Sequence, residues 1–533
     1  MSQDARRDEE QSTLRRARVL GYAYYDTYSS AKNKFPGVLS VEQIKSLKIV
    51  PLEVNPEHIL FGLVTTTSQS SQQFIRDHFL DQKIDFSIIS DSGYREYLQI
   101  YDPPPEVKYQ NIQITNSETD QLVQNISNLL QQVKADDMLA YLVQQAHQLN
   151  ASDIHLETGR GMVRIRFRID GVLHPIANLS TDKYRVLIAA IASAGNVSTA
   201  STEAQQGHIA QKVTMADGSI VDVNVRLETV QTIHGMDVVM RLFNLDEQMY
   251  NLDRLGLSNQ ERAVVDDIIK KPSGLVMIVG PTGSGKTTTL YSMLNSLNND
   301  QRKIITVEDP VENEFAGISQ IPIHLSDSHK DNFADRLRAI LRLDPDIIMV
   351  GEIRDMDTAR TALQAALTGH LVLSTFHAAS ASAAMTRLAD IIGQNPLFVS
   401  AIRLVMAQRL LRRLDPETKV PYQPSQAEWN KLSEIIGSIS DPAQRPDLSS
   451  VAIYGPGKSE SNPFGYKGQI AVREQFILTT KIRELIERPT SIIPAEEIEA
   501  AAVADGMVTI VQDAAIKVVQ GETSLEELFR VLG

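Results

Sequence analysis

One short glycine-rich segment constrains the fold of this chain more than any other feature. The sequence GPTGSGKT occupies residues 280–287 and directly follows the apolar run from Leu275 to Val279. Glycines in this pattern let backbone N–H groups turn toward a phosphate, and the lysine reaches the phosphate oxygens. A strand, a tight loop and a helix must therefore follow one another here, as in a nucleotide-binding α/β domain.

We predict that this loop binds ATP and that Mg²⁺ accompanies the nucleotide. Lys286 is expected to contact the β- and γ-phosphates, and the Thr287 hydroxyl is expected to ligate Mg²⁺. A chance glycine turn would not match every fixed position of the pattern in this context. The predicted ATP-binding residues are Gly280, Pro281, Thr282, Gly283, Ser284, Gly285, Lys286, Thr287 and Thr288.

Polar residues follow three later apolar runs of the same region. Because parallel strands end at one edge of a sheet, these residues should meet at the phosphate loop. We assign Glu308 to the attacking water and Glu352 to Mg²⁺, directly or through its water shell, and the two roles are interchangeable. His377 is the better histidine candidate for sensing the γ-phosphate. The three runs are Ile304 to Val307, Ile347 to Val350 and Leu371 to Leu373.

The length of 533 residues exceeds what one hydrophobic core supports, so several domains are expected. We predict a small N-terminal α/β domain over residues 1–110 and a Gln-, Asn- and Ser-rich linker over 111–134. A second α/β domain should span 135–246, followed by a linker over 247–258. Alternating apolar strands and amphipathic helices then predict a parallel-sheet domain over 259–533, ending in helices.

Charge and composition exclude several classes of protein. The net charge of -14 opposes binding to a phosphate backbone, so direct nucleic-acid binding is not expected. The chain has no cysteine, hence no disulfide and no thiolate zinc site. No run approaches the about 18 apolar residues of a membrane span, and the charged N-terminus lacks the apolar core of a signal peptide. We therefore expect a cytoplasmic protein.

Several ordered motifs resemble the secretion ATPase superfamily of type II secretion and type IV pilus systems. IITVEDPVE from Ile304 resembles its Asp box, LRLDPDIIMVGEIRD from Leu341 its Walker B segment, and TGHLVLSTFH from Thr368 its His box. ASDIHLE from Ala151 and VRIRFRIDG from Val163 resemble its PAS-like domain. The resemblance implies a RecA-like P-loop motor domain with a parallel sheet, preceded by a PAS-like α/β domain and a small N-terminal α/β domain.

The same resemblance implies a function and partners. It predicts a homo-hexamer that hydrolyses ATP between a motor domain and the PAS-like domain beside it, and that engages an inner-membrane platform protein. The C-terminal segment and the extra N-terminal domain resemble members that assemble fibres. We therefore expect a motor for type IV pilus assembly, with a type II secretion ATPase as the alternative. A nucleic-acid translocase and a non-hydrolysing adaptor are weaker hypotheses.

Arginines are the predicted transition-state cations. In VRIRFRID, apolar residues alternate with Arg164, Arg166 and Arg168, so a strand would place three cations on one face. We predict that Arg166 and Arg168 act on the triphosphate, which would supply the counter-charge, across a subunit or domain boundary. Arg338 and Arg342, predicted on an amphipathic helix before the segment from Asp344 to Asp355, are candidates for a phosphate clamp.

The sequence departs from the family pattern at two places. Where assembly members carry two cysteine pairs for zinc, this chain has Asp415, Thr418, Lys458 and Ser461. We therefore expect the insert between Arg413 and Gly465 to fold without zinc, with Trp429 and Leu432 as core residues. The family's Gln-Asp-Gly-Arg turn is replaced by QQGH at residues 205–208, which puts the contact of that turn in doubt.

Overall fold

A computed structural model shows two compact units, Met1–Gln110 and Asn111–Gly533, which are described separately. The structure describes residues 3–30, 32–102, 119–133, 135–214, 220–243, 250–323, 333–392, 396–449, 451–459, 462, 464–488 and 494–533. None of the helices in these ranges combines the length and the apolar character that are needed to cross a membrane.

The N-terminal unit is an α/β domain built on a mixed sheet with strand order β1-β4-β3-β2. Strands β3 and β4 pair in parallel, and β2 and β3 pair antiparallel. The buried carboxylate of Glu10 accepts hydrogen bonds from Thr27 (2.9 Å) and Ser90 (2.8 Å), which fixes α1 to the sheet. The elements are α1 Gln3–Leu20, β1 Ala23–Tyr24, α2 Val41–Leu47, β2 Ile49–Asn55, β3 His58–Leu63, α3 Gln69–His78, β4 Lys83–Ile88 and α4 Asp91–Tyr101.

The first part of the second unit contains an antiparallel sheet of order β7-β6-β5-β10-β9-β8. Two helices, α5 and α6, precede this sheet in the chain, and α5 belongs to the segment predicted as a linker. That helix buries Ile126 and Leu130, and its Ser127 hydroxyl accepts a hydrogen bond from the Asn178 amide (2.8 Å). The elements are α5 Thr119–Gln132, α6 Ala135–Gln148, β5 Ala151–Thr158, β6 Met162–Ile169, β7 Val172–Ser180, α7 Thr181–Gly195, β8 Gln205–Thr214, β9 Ile220–Thr232 and β10 Gly235–Phe243.

The nucleotide-binding motif lies in a sheet of order β13-β12-β14-β15-β11-β16-β19, in which only the β16–β19 pair is antiparallel among the described strands. Helices cover both faces, so β11, β12, β14 and β15 are buried along their whole length. The elements are α8 Asn259–Ile268, β11 Gly274–Val279, α9 Lys286–Leu297, β12 Ile304–Glu308, β13 Ile318–Pro322, α10 Phe333–Ile340, β14 Ile347–Val350, α11 Met356–Leu367, β15 Leu371–Phe376, α12 Ala381–Ile392, α13 Pro396–Ala401, β16 Ile402–Leu414 and β19 Tyr466–Ile477.

Apolar packing and side-chain hydrogen bonds hold the insert between β16 and β19 in place. Leu432 is fully buried and Trp429 is partly buried in one apolar cluster with the C-terminal helices. Asp415 accepts a hydrogen bond from Asn462 (2.7 Å), while Ser461 lies outside the described residues. The remaining elements are β17 Val420–Tyr422, α14 Gln426–Gly437, β18 Ile453–Gly455, α15 Thr480–Ile486, α16 Ala495–Ala504, α17 Ile510–Val519 and α18 Leu525–Leu532, with 3₁₀ turns at Leu252–Arg254 and Pro442–Gln444.

A buried ion cluster attaches the last helix to the central sheet. Glu527 on α18 is fully buried and accepts hydrogen bonds from the guanidinium groups of Arg412 (2.6 and 2.8 Å) and Arg530 (2.6 and 2.7 Å). Burial by itself would raise the pKa of Glu527, but the bonds from Arg530 and Arg412 lower it to about 2.

Replacing Glu527 should therefore destabilise the protein. A folded-state pKa below the unfolded value adds stability that is present above the unfolded pKa and is lost as the pH falls toward 2. Glu527→Gln should lower the free energy of unfolding at pH 7 by about 3 kcal/mol. Denaturant unfolding at pH 7 and pH 3.5 measures this, and the deficit should shrink at the lower pH. The exposed neighbour Glu526→Gln is the control; equal stability of the two variants would contradict the prediction.

Candidate nucleotide-binding site

The phosphate loop joins the end of β11 to the start of α9. Gly283 and Gly285 have φ angles of 77° and 80°, which L side chains rarely adopt. A Cβ on Gly280 would lie 2.4 Å from Ser284 Oγ and 2.7 Å from the Gln408 carbonyl oxygen, so only glycine fits there. No side chain caps the first turn of α9. Its backbone N–H groups therefore point into the loop, where an anion is favoured.

Lys286 lies inside this loop and is 9% exposed. Its ammonium group donates to the carbonyl oxygens of Gly280 (3.0 Å) and Pro281 (2.9 Å). Burial lowers the pKa of Lys286, and the negative charges of Glu352 and Glu312 oppose that shift. Lys286 is thus a cation on which the charges of both Glu352 and Glu312 act.

The loop is also held by Gln408 on β16, which the sequence reasoning missed. Its side-chain amide donates to the Ser284 carbonyl (2.6 Å) and accepts from the Thr289 hydroxyl (2.9 Å). Gln408 is 1% exposed and lies far from the loop in sequence. The sequence signal was weak: Gln408 directly follows the apolar run from Leu404 to Ala407, and a glutamine that is buried there needs hydrogen-bond partners.

Glu308 ends β12, as predicted, but its carboxylate is already surrounded by donors. The Tyr291 and Thr306 hydroxyls bond to it, and the Gln320 amide donates to Oε1 (3.1 Å). The residue is 3% exposed. These contacts fix the carboxylate within the interior of the domain, at the end of the strand that leads to the loop 309–317.

Glu312, four residues farther along the Asp-box segment, faces the nucleotide loop instead. Its side chain is exposed to solvent and lines an open cleft. Partial desolvation by the surrounding protein, together with the charge of Glu308, raises the pKa of Glu312. Arg241, Arg226 and a hydrogen bond from the Thr287 side chain act in the opposite direction. The sequence IITVEDPVE contained this residue, but only its first glutamate was assigned a role.

Glu352 and His377 meet at the same sheet edge, at the ends of β14 and β15. His377 Nε2 lies 3.1 Å from Glu352 Oε2. The other oxygen of Glu352 pairs with Arg354, whose guanidinium also approaches Asp309 (3.6 Å). The charge of Glu352 acts on Lys286, which places the carboxylate beside the phosphate loop. Arg354 is a further residue of this site that the sequence reasoning did not select.

The three arginines of β6 alternate with buried apolar residues, as the pattern predicted. Their counter-charge, however, comes from the neighbouring strand β5 and not only from a ligand. Glu157 pairs with Arg166 and with Arg164 (3.2 Å), and Asp153 pairs with Arg168 (3.4 Å). Carboxylates of β5 thus already pair with these cations, and the action of Arg166 and Arg168 on a triphosphate stays a prediction.

Two other arginines of this sheet point toward the motor domain. Strand register places Arg168, Asp153, Arg241 and Arg226 in one row across β6, β5, β10 and β9. Asp153 also accepts a hydrogen bond from Arg241 (2.8 Å). Arg226 and Glu312 line the same cleft of about 980 Å³, between the antiparallel sheet and the motor domain. Arg226 alternates with buried Val225 and Leu227, a signal as clear as that of β6.

The remaining predicted residues lie elsewhere. Arg338 on α10 pairs with Asp335 of its own helix (2.6 Å). Arg342 was predicted on this helix, but α10 ends at Ile340 and Arg342 is an exposed residue of the following turn. The QQGH segment begins strand β8 and does not form a turn. Its Gln206, Gly207 and His208 nevertheless line the cleft that contains Glu312.

The donor groups at the phosphate loop fit Mg²⁺. The Thr287 side chain hydrogen-bonds to the Glu312 carboxylate, and the charges of Glu352 and Glu312 both act on Lys286. Oxygen donors of this kind, together with water and phosphate oxygens, are what Mg²⁺ prefers. Thr287 and Glu352 remain the predicted ligands, and Glu312 adds a carboxylate beside them.

The chain matches the family described as "Type II/IV secretion system protein" over residues 131–530. It is 34% identical over 538 residues to "Type IV pilus assembly ATPase TfpB" of Acinetobacter baylyi, covering 97% of this chain and 87% of that protein. It is 40% identical over 389 residues to "Type II secretion system protein E" of Pseudomonas aeruginosa, covering 73% of each.

Solved structures show the same fold. The ATPase DotB of Legionella pneumophila superposes with a TM-score of 0.54 at 23% identity, over 75% of this chain and 96% of that chain. The ATPase DotB of Yersinia pseudotuberculosis gives a TM-score of 0.55 at 22% identity, over 75% and 94%. The predicted fold class, a RecA-like motor domain with a parallel sheet preceded by smaller α/β domains, is confirmed.

Proposed function

We propose, from the premise that this chain belongs to the type II/IV secretion system protein family, that it is the ATP-hydrolysing hexameric motor of type IV pilus assembly. The observation that carries the proposal is the match to a pilus assembly ATPase along 97% of the chain, including its N-terminal unit. The alternative is a type II secretion ATPase. Relatives with that name support it equally in the motor and PAS-like regions, over 73% of this chain.

The phosphate loop would bind the triphosphate of ATP. The free N–H groups of α9 and the Lys286 ammonium face the same space, and both favour an anion. Thr287 and Glu352 would hold Mg²⁺, which neutralises phosphate charge when it is bound. The ammonium of Lys286 exchanges its bonds to loop carbonyls for bonds to phosphate oxygens. His377, paired with Glu352, is positioned to respond to the γ-phosphate.

Glu312 is the better candidate for orienting the attacking water. It lies in the solvent-accessible cleft beside Thr287, whereas the oxygens of Glu308 already accept hydrogen bonds from three side chains. A carboxylate that acts on water needs a free oxygen within reach of that water. We therefore propose Glu312 for the role first assigned to Glu308, and we give Glu308 the role of fixing the strand end.

Arg226 and Arg241 are the proposed cations opposite the γ-phosphate. Their charges already act on Glu312 across the cleft. Asp153 pairs with both Arg241 and Arg168. Arg168 of β6 therefore helps to fix Arg241 through this shared carboxylate. The earlier hypothesis, direct action by Arg166 and Arg168 or a clamp by Arg338 and Arg342, is kept as the competing arrangement.

The assembly that we propose is a ring on the cytoplasmic side of the inner membrane, held there by a platform protein. Relatives named as parts of pilus and secretion machines support an association of this kind. Direct binding to nucleic acid is not proposed, because the net charge of -14 opposes it.

The first test separates the candidate functions. Deleting the gene should abolish surface pili and leave secretion of folded exoproteins unchanged, and Lys286→Ala should fail to restore pili. Lost secretion with normal pili would instead identify a type II secretion motor. Purified protein should hydrolyse ATP with Mg²⁺ at a rate that DNA does not change; stimulation by DNA would support a translocase.

The second test distinguishes the two glutamates. Lys286→Ala should lose both binding and hydrolysis, because it removes the phosphate counter-charge. Glu312→Gln should bind ATP normally and lower the turnover rate by about 10³-fold, as expected when a group acting on water is removed. Glu308→Gln should lower turnover far less. Fluorescent-nucleotide binding and steady-state hydrolysis measure both properties, and the reverse ranking would restore Glu308 to the catalytic role.

The third test concerns the arginines and the ring. Arg226→Ala or Arg241→Ala should cut turnover about 10³-fold with little change in ATP binding, and lysine should rescue poorly because it has no planar fork. Arg338→Ala, on the exposed surface of α10, tests the competing clamp and should leave turnover close to the wild-type value. Mixing wild-type subunits with Lys286→Ala subunits at varied ratios measures whether the ring couples its sites. Activity strictly proportional to the wild-type fraction would count against coupled subunits.

A further inference from the structure

We infer that Tyr291 is a positioning residue, whose hydroxyl fixes the backbone of Glu312 relative to the phosphate loop. The inference rests on the proposed function, because it assigns a purpose to a contact with the glutamate that we propose to act on water. The residues that line the cleft do not include Tyr291. It belongs to α9, the helix that begins with Lys286.

The contacts of the phenol are specific. Tyr291 is fully buried, and its hydroxyl donates to Glu308 Oε2 while accepting a hydrogen bond from the Glu312 amide (3.3 Å). One oxygen atom thereby joins the end of β12 to the loop that follows it. Because α9 also carries Lys286 and Thr287, the same bond sets the distance between Glu312 and the phosphate-binding groups.

The other oxygen of Glu308 completes this arrangement. It accepts hydrogen bonds from Thr306 and Gln320, and the Gln320 amide also donates to the Asn313 carbonyl (2.8 Å). The residues on both sides of the Glu312–Asn313 peptide are therefore bonded to a network centred on Glu308. The side chain of Glu312 projects from this network into the cleft.

Two more aromatic rings hold the phenol in place. The ring of Tyr291 meets Tyr250 and Phe315 edge to face, with centroid distances of 5.2 and 4.9 Å, and these two rings lie 5.4 Å apart. Phe315 belongs to the loop that carries Glu312. Tyr250 belongs to the linker between the antiparallel sheet and α8, and its carbonyl accepts a bond from Asn295 of α9 (2.8 Å). The position of Glu312 thus depends on a residue of the interdomain linker.

Burial and the charge of Glu308 raise the pKa of Tyr291 far above its ordinary value. The phenol therefore stays protonated at every working pH and serves as a permanent donor to Glu308. A buried tyrosine that only filled the core would not need its hydroxyl, since phenylalanine has the same ring. The hydroxyl and the ring can accordingly be tested separately.

The experiment uses the full chain and compares Tyr291→Phe with wild type. Removing one hydrogen-bonding group should lower kcat by about tenfold or more, because Glu312 loses its fixed position. The Kd for ATP should stay within about twofold, since no phosphate contact is removed. Hydrogen–deuterium exchange should become faster at residues 309–316. Tyr184→Phe is the matched control, since Tyr184 is also buried and its hydroxyl also bonds to a backbone group, the Met236 carbonyl.

A second variant, Tyr250→Leu, leaves the Tyr291 hydroxyl in place and removes one supporting ring. It should lower kcat at an unchanged Kd, and the double variant should lose less than the product of the two single effects, because both act through one cluster. If Tyr291→Phe fails to fold, Tyr250→Leu carries the test alone.

Three results would overturn the inference: unchanged kcat in Tyr291→Phe, unchanged kcat in Tyr250→Leu, or a loss confined to ATP binding. Failure of the proposed function is a separate result. In that case wild-type protein shows no hydrolysis, or Glu312→Gln turns over at the wild-type rate. Wild-type activity that Glu312→Gln abolishes and Tyr291→Phe leaves intact would reject the inference and retain the function.

Discussion

The parallel pairing of β11 with β15, and of β15, β14 and β12 in turn, determines where the reactive groups of the motor domain lie. Each of these strands is buried along its whole length, so none can shift without exposing apolar surface. Their carboxyl ends therefore share one edge, which brings Lys286 close to Glu352 although the two are far apart in sequence. The phosphate loop supplies cations and N–H donors at that edge, and the acidic segments supply oxygens.

The antiparallel sheet positions its charged residues differently, because side chains alternate between the two faces of each strand. Apolar residues fill one face, and the other face carries the cross-strand row of Arg168, Asp153, Arg241 and Arg226. A single buried carboxylate, Asp153, separates two of the cations and orients both. Cations held in this way need no reorganisation when charge develops nearby, which is the condition for effective electrostatic stabilisation.

Local patterns predicted the phosphate loop, the strands of the motor sheet and the alternation of charged and apolar residues along β6. Each of these features depends only on residues that are adjacent in sequence. The choice between Glu308 and Glu312 was not local. It depends on the bond between Tyr291 and Glu308, which joins two elements of the tertiary structure. Arg226 had the same alternating signal as Arg166, but only the strand order shows which row faces the cleft. Gln408 was missed because its partners, Ser284 and Thr289, lie on other elements.

Strand β16 connects the nucleotide loop to the C-terminal helices. Gln408 bonds to the loop near the middle of this strand, and Arg412, four residues farther along the same face, bonds to Glu527 of α18. On the neighbouring strand β19, the Arg473 backbone amide donates to Asp513 of α17 (2.8 Å), and the Glu474 carboxylate accepts from the backbone amide of Ile510, the first residue of that helix (3.1 Å). A strand that is paired on both sides cannot bend independently of its neighbours. A displacement of the phosphate loop at Gln408 must therefore be taken up by the loop itself or passed to the helices that the strand carries.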